Sequence, residues 1–167
     1  MTGGFFMVRY RKRIKQRRIF FMVEVKPITA EDTYAIRHSV LRPHQTIEDC
    51  KYDQDSVKGA FHLGGFYDGQ LISIASFYPQ SQQALKAEPA YQLRGMATLE
   101  EYRTQKAGST LIAYAERKLA DMGAALVWCN ARYHVKGYYE KLGWTSIGSP
   151  FDIPGIGPHV IMYKELA

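Results

Sequence analysis

One segment of the chain leaves little choice of conformation. Leu111, Ile112, Ala115, Leu119 and Met122 recur at helical spacing, Glu116, Arg117 and Asp121 turn away from that stripe, and Gly123 stands where a left-handed cap closes a helix. Ala-Leu-Val-Trp-Cys follows at once (Ala125–Cys129), an apolar run of the length and type of a central strand covered on both faces. A one-faced helix feeding a doubly covered strand points to layers, helices packed on a sheet.

The remaining segments extend that pattern. Val23–Lys26 reads as a short strand ending at Pro27. Thr29 is a hydroxyl cap with Glu31 and Asp32 in the first turn, where the helix dipole favours carboxylates, so a helix is predicted from there to about Leu41, stopping before Pro43. His44–Lys58 is polar and without period, a loop or short helical turns. Ala60–Tyr67 and Gln70–Tyr78 flank Asp68-Gly69, a pair that favours the positive φ of a tight hairpin. Ala90–Leu99 is a third strand candidate, leading through the loop Glu100–Gly108 into the helix Ser109–Met122. Val135, Tyr138, Tyr139 and Leu142 mark another helix ending at Gly143. Trp144–Ile147 and Val160–Lys164 are strands around a Gly/Pro-rich loop, Gly148–Pro158. The predicted fold is α/β (α+β): a single mixed, mostly antiparallel central sheet flanked by helices.

Charge divides the chain unevenly. Its net charge is +6, yet Met1–Phe21 alone carries Arg9, Arg11, Lys12, Arg13, Lys15, Arg17 and Arg18 and no acid. Of the 22 basic and 16 acidic residues in the chain, Met22–Ala167 therefore holds 15 and 16. Residues 1–21 read as a basic N-terminal extension outside the fold, with a nucleic-acid arm and a targeting peptide as the competing readings. Residues 22–167 form the functional domain. Its near-neutral body is unlike a nucleic-acid-binding face, so no nucleic-acid partner is expected. No apolar run reaches the roughly 20 residues of a membrane-spanning helix, and a soluble, cytoplasmic protein with no membrane partner is expected. Cys50 and Cys129 lack disulfide or zinc spacing; two free thiols, Cys129 buried in its strand, and no metal are expected. Gly155-Ile-Gly157 precedes a proline and a strand, which excludes a nucleotide fingerprint, and His62-Leu-Gly-Gly65 has no second ligand at metal spacing.

Chemistry concentrates at the junction before the long helix. Arg103-Thr104-Gln105-Lys106-Ala107-Gly108-Ser109 brings backbone N–H groups, a small residue and two cations to a helix N-terminus. Such a terminus receives anions because its first amides lack intrahelical acceptors. An ordinary strand-to-helix turn with solvated basic residues is the alternative.

This loop keeps company with three other segments. They are Gln92-Leu-Arg-Gly-Met-Ala-Thr98 before it, Asn130-Ala131 after the next strand, and Tyr138-Tyr-Glu-Lys-Leu-Gly-Trp144. In that order and spacing the chain resembles the GNAT superfamily of N-acetyltransferases over roughly Met22–Ala167. It departs from the family at one position, where Lys106 replaces the first glycine of the loop while Gly108 keeps the second. A left-handed backbone at Lys106 costs about 1 kcal/mol or more.

The resemblance implies acetyl-CoA as co-substrate, a primary amine on a small molecule or peptide as acceptor, and direct attack in a ternary complex. It assigns the pyrophosphate to Arg103, Thr104, Gln105, Lys106, Ala107, Gly108 and Ser109, and the pantetheine arm to the backbone of Met96, Ala97 and Thr98. Asn130 becomes a cofactor-contacting or cleft-lining amide, with a turn-forming asparagine as the plain alternative. Tyr139 matches the family tyrosine and becomes the general acid, against a packed core tyrosine. Glu100, Glu101, His62 and His159 are candidates for accepting the amine proton, directly or through water. His159 leads them because Ile153-Pro-Gly-Ile-Gly-Pro precedes it as a constrained loop. The acceptor pocket is expected between the first helix, His44–Lys58 and Gly148–His159. A homodimer is compatible with this reading. So is a sensor or interaction module that binds acyl-CoA without catalysis.

Overall fold

Seven strands build one sheet in the order β1-β2-β3-β4-β5-β7-β6 in the computed structural model, which describes residues 22–166. The strands are β1 (Glu24–Ile28), β2 (Phe61–Tyr67), β3 (Gln70–Pro79), β4 (Ala90–Thr98), β5 (Leu126–Arg132), β6 (Thr145–Ile153) and β7 (Gly157–Glu165). Three α-helices accompany them: α1 (Ala30–Ile36), α2 (Ala107–Asp121) and α3 (Lys136–Lys141). β4 and β5 run parallel and the other neighbours antiparallel, the mixed and mostly antiparallel sheet that was expected. The expectation for Met1–Phe21 as a basic extension lies outside the described residues.

Local chemistry explains most boundaries. Thr29 accepts from the Asp32 amide while Asp32 accepts from the Thr29 amide, a capping box at α1. Asp68 (φ 48°) and Gly69 (φ 76°) form the β2–β3 turn with positive φ at both positions. Leu111, Ile112, Ala115 and Leu119 of α2 are buried against Leu63, Phe77, Leu93, Val127 and Met162 of the sheet. Each of the larger side chains, Leu111, Ile112 and Leu119, contributes about 1.5–3 kcal/mol through burial. The opposite face is covered by α1, where Ile36 packs on Ile74 and Ala97.

The structure corrects several sequence readings. β1 continues through Pro27 to Ile28, which an edge strand permits because one side of it pairs with no neighbour. Past α1 the chain makes a π-helical turn, Arg37–Leu41, in which the Arg42 amide reaches back to the Arg37 carbonyl at 3.1 Å. The segment Glu100–Gly108 is no open loop: Glu100–Gln105 is a 3-10 helix and α2 starts at Ala107. Met122 is 47% exposed because the helix ends one residue before it, and Glu116 is half-buried, bonding Trp144 and Lys164. β5 runs on through Asn130 to Arg132, and the last helix begins as a 3-10 turn, Tyr133–Val135. The Gly/Pro-rich segment Gly148–Pro158 is largely a β6–β7 hairpin; its prolines and glycines sit at an edge strand, a register shift and the tip.

Candidate active site

The sheet opens between β4 and β5. Their parallel pairing covers Ala90–Leu126, Tyr91–Val127 and Gln92–Trp128, and no further. Beyond it β4 continues paired with β3 alone, and β5 with β7 alone. The two strands therefore present unpaired backbone edges to each other across a wedge. A bulge in β4 accompanies the separation: Gly95 has φ +60°, and the β3–β4 register shifts between Ile74 and Ser76. Met96 lies in this bulge and Ala97 and Thr98 past it on the open edge, with Thr98 Oγ1 tied to Ser73 Oγ at 2.7 Å.

The N-terminus of α2 follows directly. Lys106 adopts φ 58° and ψ 25°, the left-handed conformation expected of the family's missing glycine. The Lys106 carbonyl accepts from Thr110 N (3.0 Å), Ser109 Oγ (2.9 Å) and Thr110 Oγ1 (2.8 Å). Both hydroxyls are thus turned back, and no side chain caps the helix. The first-turn amides, Ala107 to Ser109, are left as donors at the positive end of a four-turn helix. Arg103, Thr104 and Lys106 are exposed beside them and Gln105 is half-buried. The Tyr102 hydroxyl anchors this turn by donating to Gln70 Oε1 at 2.9 Å.

Tyr139 is buried in the core on the α2 side of the sheet, with its ring 5.2 Å from Trp144 and 5.4 Å from Tyr138. Burial first, and then the Cys129 thiol, push its hydroxyl well above the ordinary tyrosine range, so it stays protonated. Cys129 is itself pushed up to about 12 by burial, and is one of two free, buried cysteines, as expected. Sequence reasoning passed over Tyr138 as a functional residue. A Cβ on Gly108 would lie 2.9 Å from the Tyr138 hydroxyl and 3.9 Å from Thr98 Oγ1, so this hydroxyl sits between the end of β4 and the first turn of α2. Burial raises its pKa as well. The signal was the tyrosine pair itself, because adjacent helical residues point about 100° apart and can serve two surfaces.

The face of the sheet opposite α2 carries the remaining polar groups. Cross-strand partners share a face, which puts Gln92, Arg94, Ser76, Tyr78 and His62 on one flank of the wedge. Asn130, Arg132 and His159 lie on the other flank. Asn130 is exposed within β5, near the mouth, and forms no turn. His159 is buried at the start of β7, beside Arg132; its Nδ1 lies 2.7 Å from the Gly157 carbonyl. A carbonyl only accepts, so Nδ1 is the donor in this contact, and in the neutral tautomer that donates from Nδ1 the lone pair is on Nε2. Glu100 and Glu101 are exposed at the start of the 3-10 helix.

His62 belongs to an internal network. Arg37, fully buried, pairs with Asp55 through both terminal nitrogens (2.8 and 3.0 Å) and donates to Ser76 Oγ, Tyr78 Oη and the Cys50 carbonyl. His62 Nδ1 meets Ser76 Oγ at 2.8 Å, and its Nε2 lies 3.8 Å from Asp55. Burial lowers the His62 pKa and keeps the ring neutral. Among the described residues no group of three or more His, Cys, Asp or Glu could hold a metal ion, and no helix is long and apolar enough to cross a membrane.

Known proteins share this architecture and sequence. Residues 24–144 match the Acetyltransferase (GNAT) family. YitI of Bacillus subtilis (strain 168), described as an N-acetyltransferase, is 69% identical over 145 residues, covering 87% of this chain and 97% of that protein. A solved acyl-CoA N-acyltransferase from Pseudomonas aeruginosa has a TM-score of 0.64 at 18% identity, over 85% of this chain and 99% of that one. An aminoglycoside 6'-N-acetyltransferase solved with coenzyme A has a TM-score of 0.67 at 12% identity, over 86% and 97%. These two likenesses are of fold. With an open β4–β5 wedge, an uncapped helix start behind it and a family match over most of its length, the chain belongs to the GNAT acetyltransferase family and is an N-acetyltransferase.

Proposed function

We propose that the protein transfers an acetyl group from acetyl-CoA to a primary amine by direct attack, with both substrates bound together. The observation that carries this reading is the early end of β4–β5 pairing, which leaves two strand edges facing an extended ligand. The donor set suits coenzyme A: uncapped amides of Ala107, Gly108 and Ser109, with Arg103 and Lys106 beside them, match a pyrophosphate. Thr104 and Gln105 belong to the same turn. The edge of Met96, Ala97 and Thr98 can pair with the amides of the pantetheine arm as a further strand would. An amide donor on that edge polarises the thioester carbonyl from a fixed position. Asn130, from the facing strand, lines the other side.

The amine nitrogen gives up two protons, one before attack and one as the C–N bond forms and the C–S bond breaks. The second replaces the proton that the sulfur takes. Tyr139, held protonated by burial, gives its proton to the departing sulfur. His159 offers Nε2 to the ammonium proton of the acceptor, whose reference pKa is about 10.4 if it resembles lysine. It lies on the same sheet face as Arg94, the face away from α2, which supports a role on the acceptor's side.

Coenzyme A release measured with acetyl-CoA and a panel of amines tests the reading. Tyr139→Phe should lower kcat roughly 10²- to 10⁴-fold with little change in the KM for acetyl-CoA, and Tyr138→Phe should act mainly on that KM. Equal kcat for wild type and Tyr139→Phe would remove Tyr139 from the acid role. Binding of acetyl-CoA without turnover of any amine would favour an acyl-CoA sensor.

A further inference from the structure

Tyr52 stands where the β4 bulge meets the surface. A Cβ on Gly95 would lie 3.3 Å from Tyr52 Cε2 and 3.2 Å from Arg37 Nε, so the ring rests on the bulge itself. Three guanidinium groups surround that ring, with Arg37 at 4.0 Å, Arg94 at 4.7 Å and Arg42 at 5.4 Å from its centroid. Their partners differ. Arg37 is neutralised by Asp55. Arg42 donates to Gln45 Oε1 at 2.8 Å and Arg94 to Gln54 Oε1, so both are oriented by neutral amide oxygens. Among the described residues neither forms an ion pair, although both are half-buried.

Arg42, Tyr52, Gln54 and Arg94 line a polar pocket of about 420 Å³ that also includes Asp49 and Asp53. The Asp49 carboxylate is engaged by the Thr46 amide and hydroxyl, both at 2.8 Å, and Lys51 on the same rim is paired with Glu48. Two half-buried arginines held ready by glutamines, beside the wedge, are a fork for an incoming anion, since guanidinium binds carboxylate bidentately. Arg94 is one residue before the bulge and three from the edge of Ala97, and it shares the sheet face of the flank opposite His159.

Resting on the acetyl-transfer reading above, we propose that this pocket is the acceptor subsite and that the acceptor is a small amino-carboxylic acid. Arg94 and Arg42 hold its carboxylate, and the Tyr52 ring forms the floor. The amine then points into the wedge, where the C–N bond forms as the C–S bond breaks. One amine proton leaves toward His159, the sulfur collects one from Tyr139, and the nitrogen's second proton replaces it as the amide forms.

The experiment pairs amino acids with their amides and with the amines lacking the carboxyl group. Acetyl-CoA turnover and calorimetric binding to the CoA-loaded enzyme are read for each set. The wild type should prefer the acids, and Arg94→Gln should lower kcat/KM for them roughly 10- to 100-fold, through KM, as expected for loss of a charged hydrogen bond. Arg94→Gln should also erase the preference over the amides, with the KM for acetyl-CoA little changed. Arg94→Lys should recover part of the loss, and Arg42→Gln should lose less. Turnover that favours amides or simple amines, or that keeps its acid preference in both glutamine variants, overturns the subsite while leaving acetyl transfer intact. Acid binding that depends on Arg94 without turnover supports the subsite and overturns the transfer reading. Neither binding nor turnover overturns both.

Discussion

Lys106 holds a left-handed backbone at a position where its relatives' loop favours glycine, and its side chain is exposed. An L-residue there costs about 1–2 kcal/mol, while glycine costs about 0.5–1 kcal/mol of extra chain entropy on folding. Lys106→Gly should therefore stabilise the protein by about 0.5 kcal/mol in urea titration. If the ammonium meets the pyrophosphate, the same variant should raise the KM for acetyl-CoA several-fold. The two readouts move in opposite senses, which separates relief of strain from loss of charge. The need for a left-handed residue was legible in the motif, and so was the identity of its occupant. The two tyrosines were less legible. Both fall on or near the apolar stripe of α3, and only the packing against Gly108 and Cys129 shows that their hydroxyls go to different places.

The elements beneath the acceptor pocket are joined by the Arg37 network. α1 and its π-turn supply Arg37, the 3-10 turn Asp53–Ser56 supplies Asp55, β2 supplies His62, and β3 supplies Ser76 and Tyr78. Asp55→Asn leaves Arg37 buried without its counter-charge and should destabilise the protein by about 3 kcal/mol, the scale for breaking a buried pair. Burial opposes ionisation of Asp55, but the hydrogen bonds from Arg37, Tyr78 and the Tyr52 amide outweigh it and lower its pKa below 3.8. A depressed acid contributes stability above its unfolded pKa and loses it as pH falls through the folded value, so this contribution fades only below about pH 3.8. His62 acts earlier. Its folded pKa is lowered by burial from 6.5, so the unfolded chain binds the proton first and stability declines as pH falls below about 6.5. Denaturant titrations at pH 7.5 and 5.5 should show that decline in the wild type and a smaller one in His62→Gln. In the sequence His62 and Arg37 were isolated residues; Arg37 on the inner side of a predicted helix was the sign of a buried partner that went unread.

At the scale of the molecule the wedge is a gap in an otherwise continuous sheet, and a ligand that fills it restores the missing strand contacts. Coenzyme A at 100 times its Kd should stabilise the fold by about 2.7 kcal/mol. For a chain of this size that is a rise of about 5–10 °C in Tm. Thermal unfolding with and without coenzyme A checks this; an unchanged Tm would argue against the wedge as its site. The sequence by itself determined the order of strands and helices, the hairpin at Asp68-Gly69, the helix start at Thr29, and the family, because these rest on periodicity, caps and turns acting over a few residues. The turn before α2, where the pyrophosphate is proposed to bind, was legible as a helix start for the same reason. Only the tertiary structure decided that Gly148–Pro158 is mostly strand, that β4 and β5 part after Gln92, and that Arg37, Arg42 and Arg94 converge on Tyr52. Those features arise from pairing and packing between residues distant in the chain, whose partners no local pattern names.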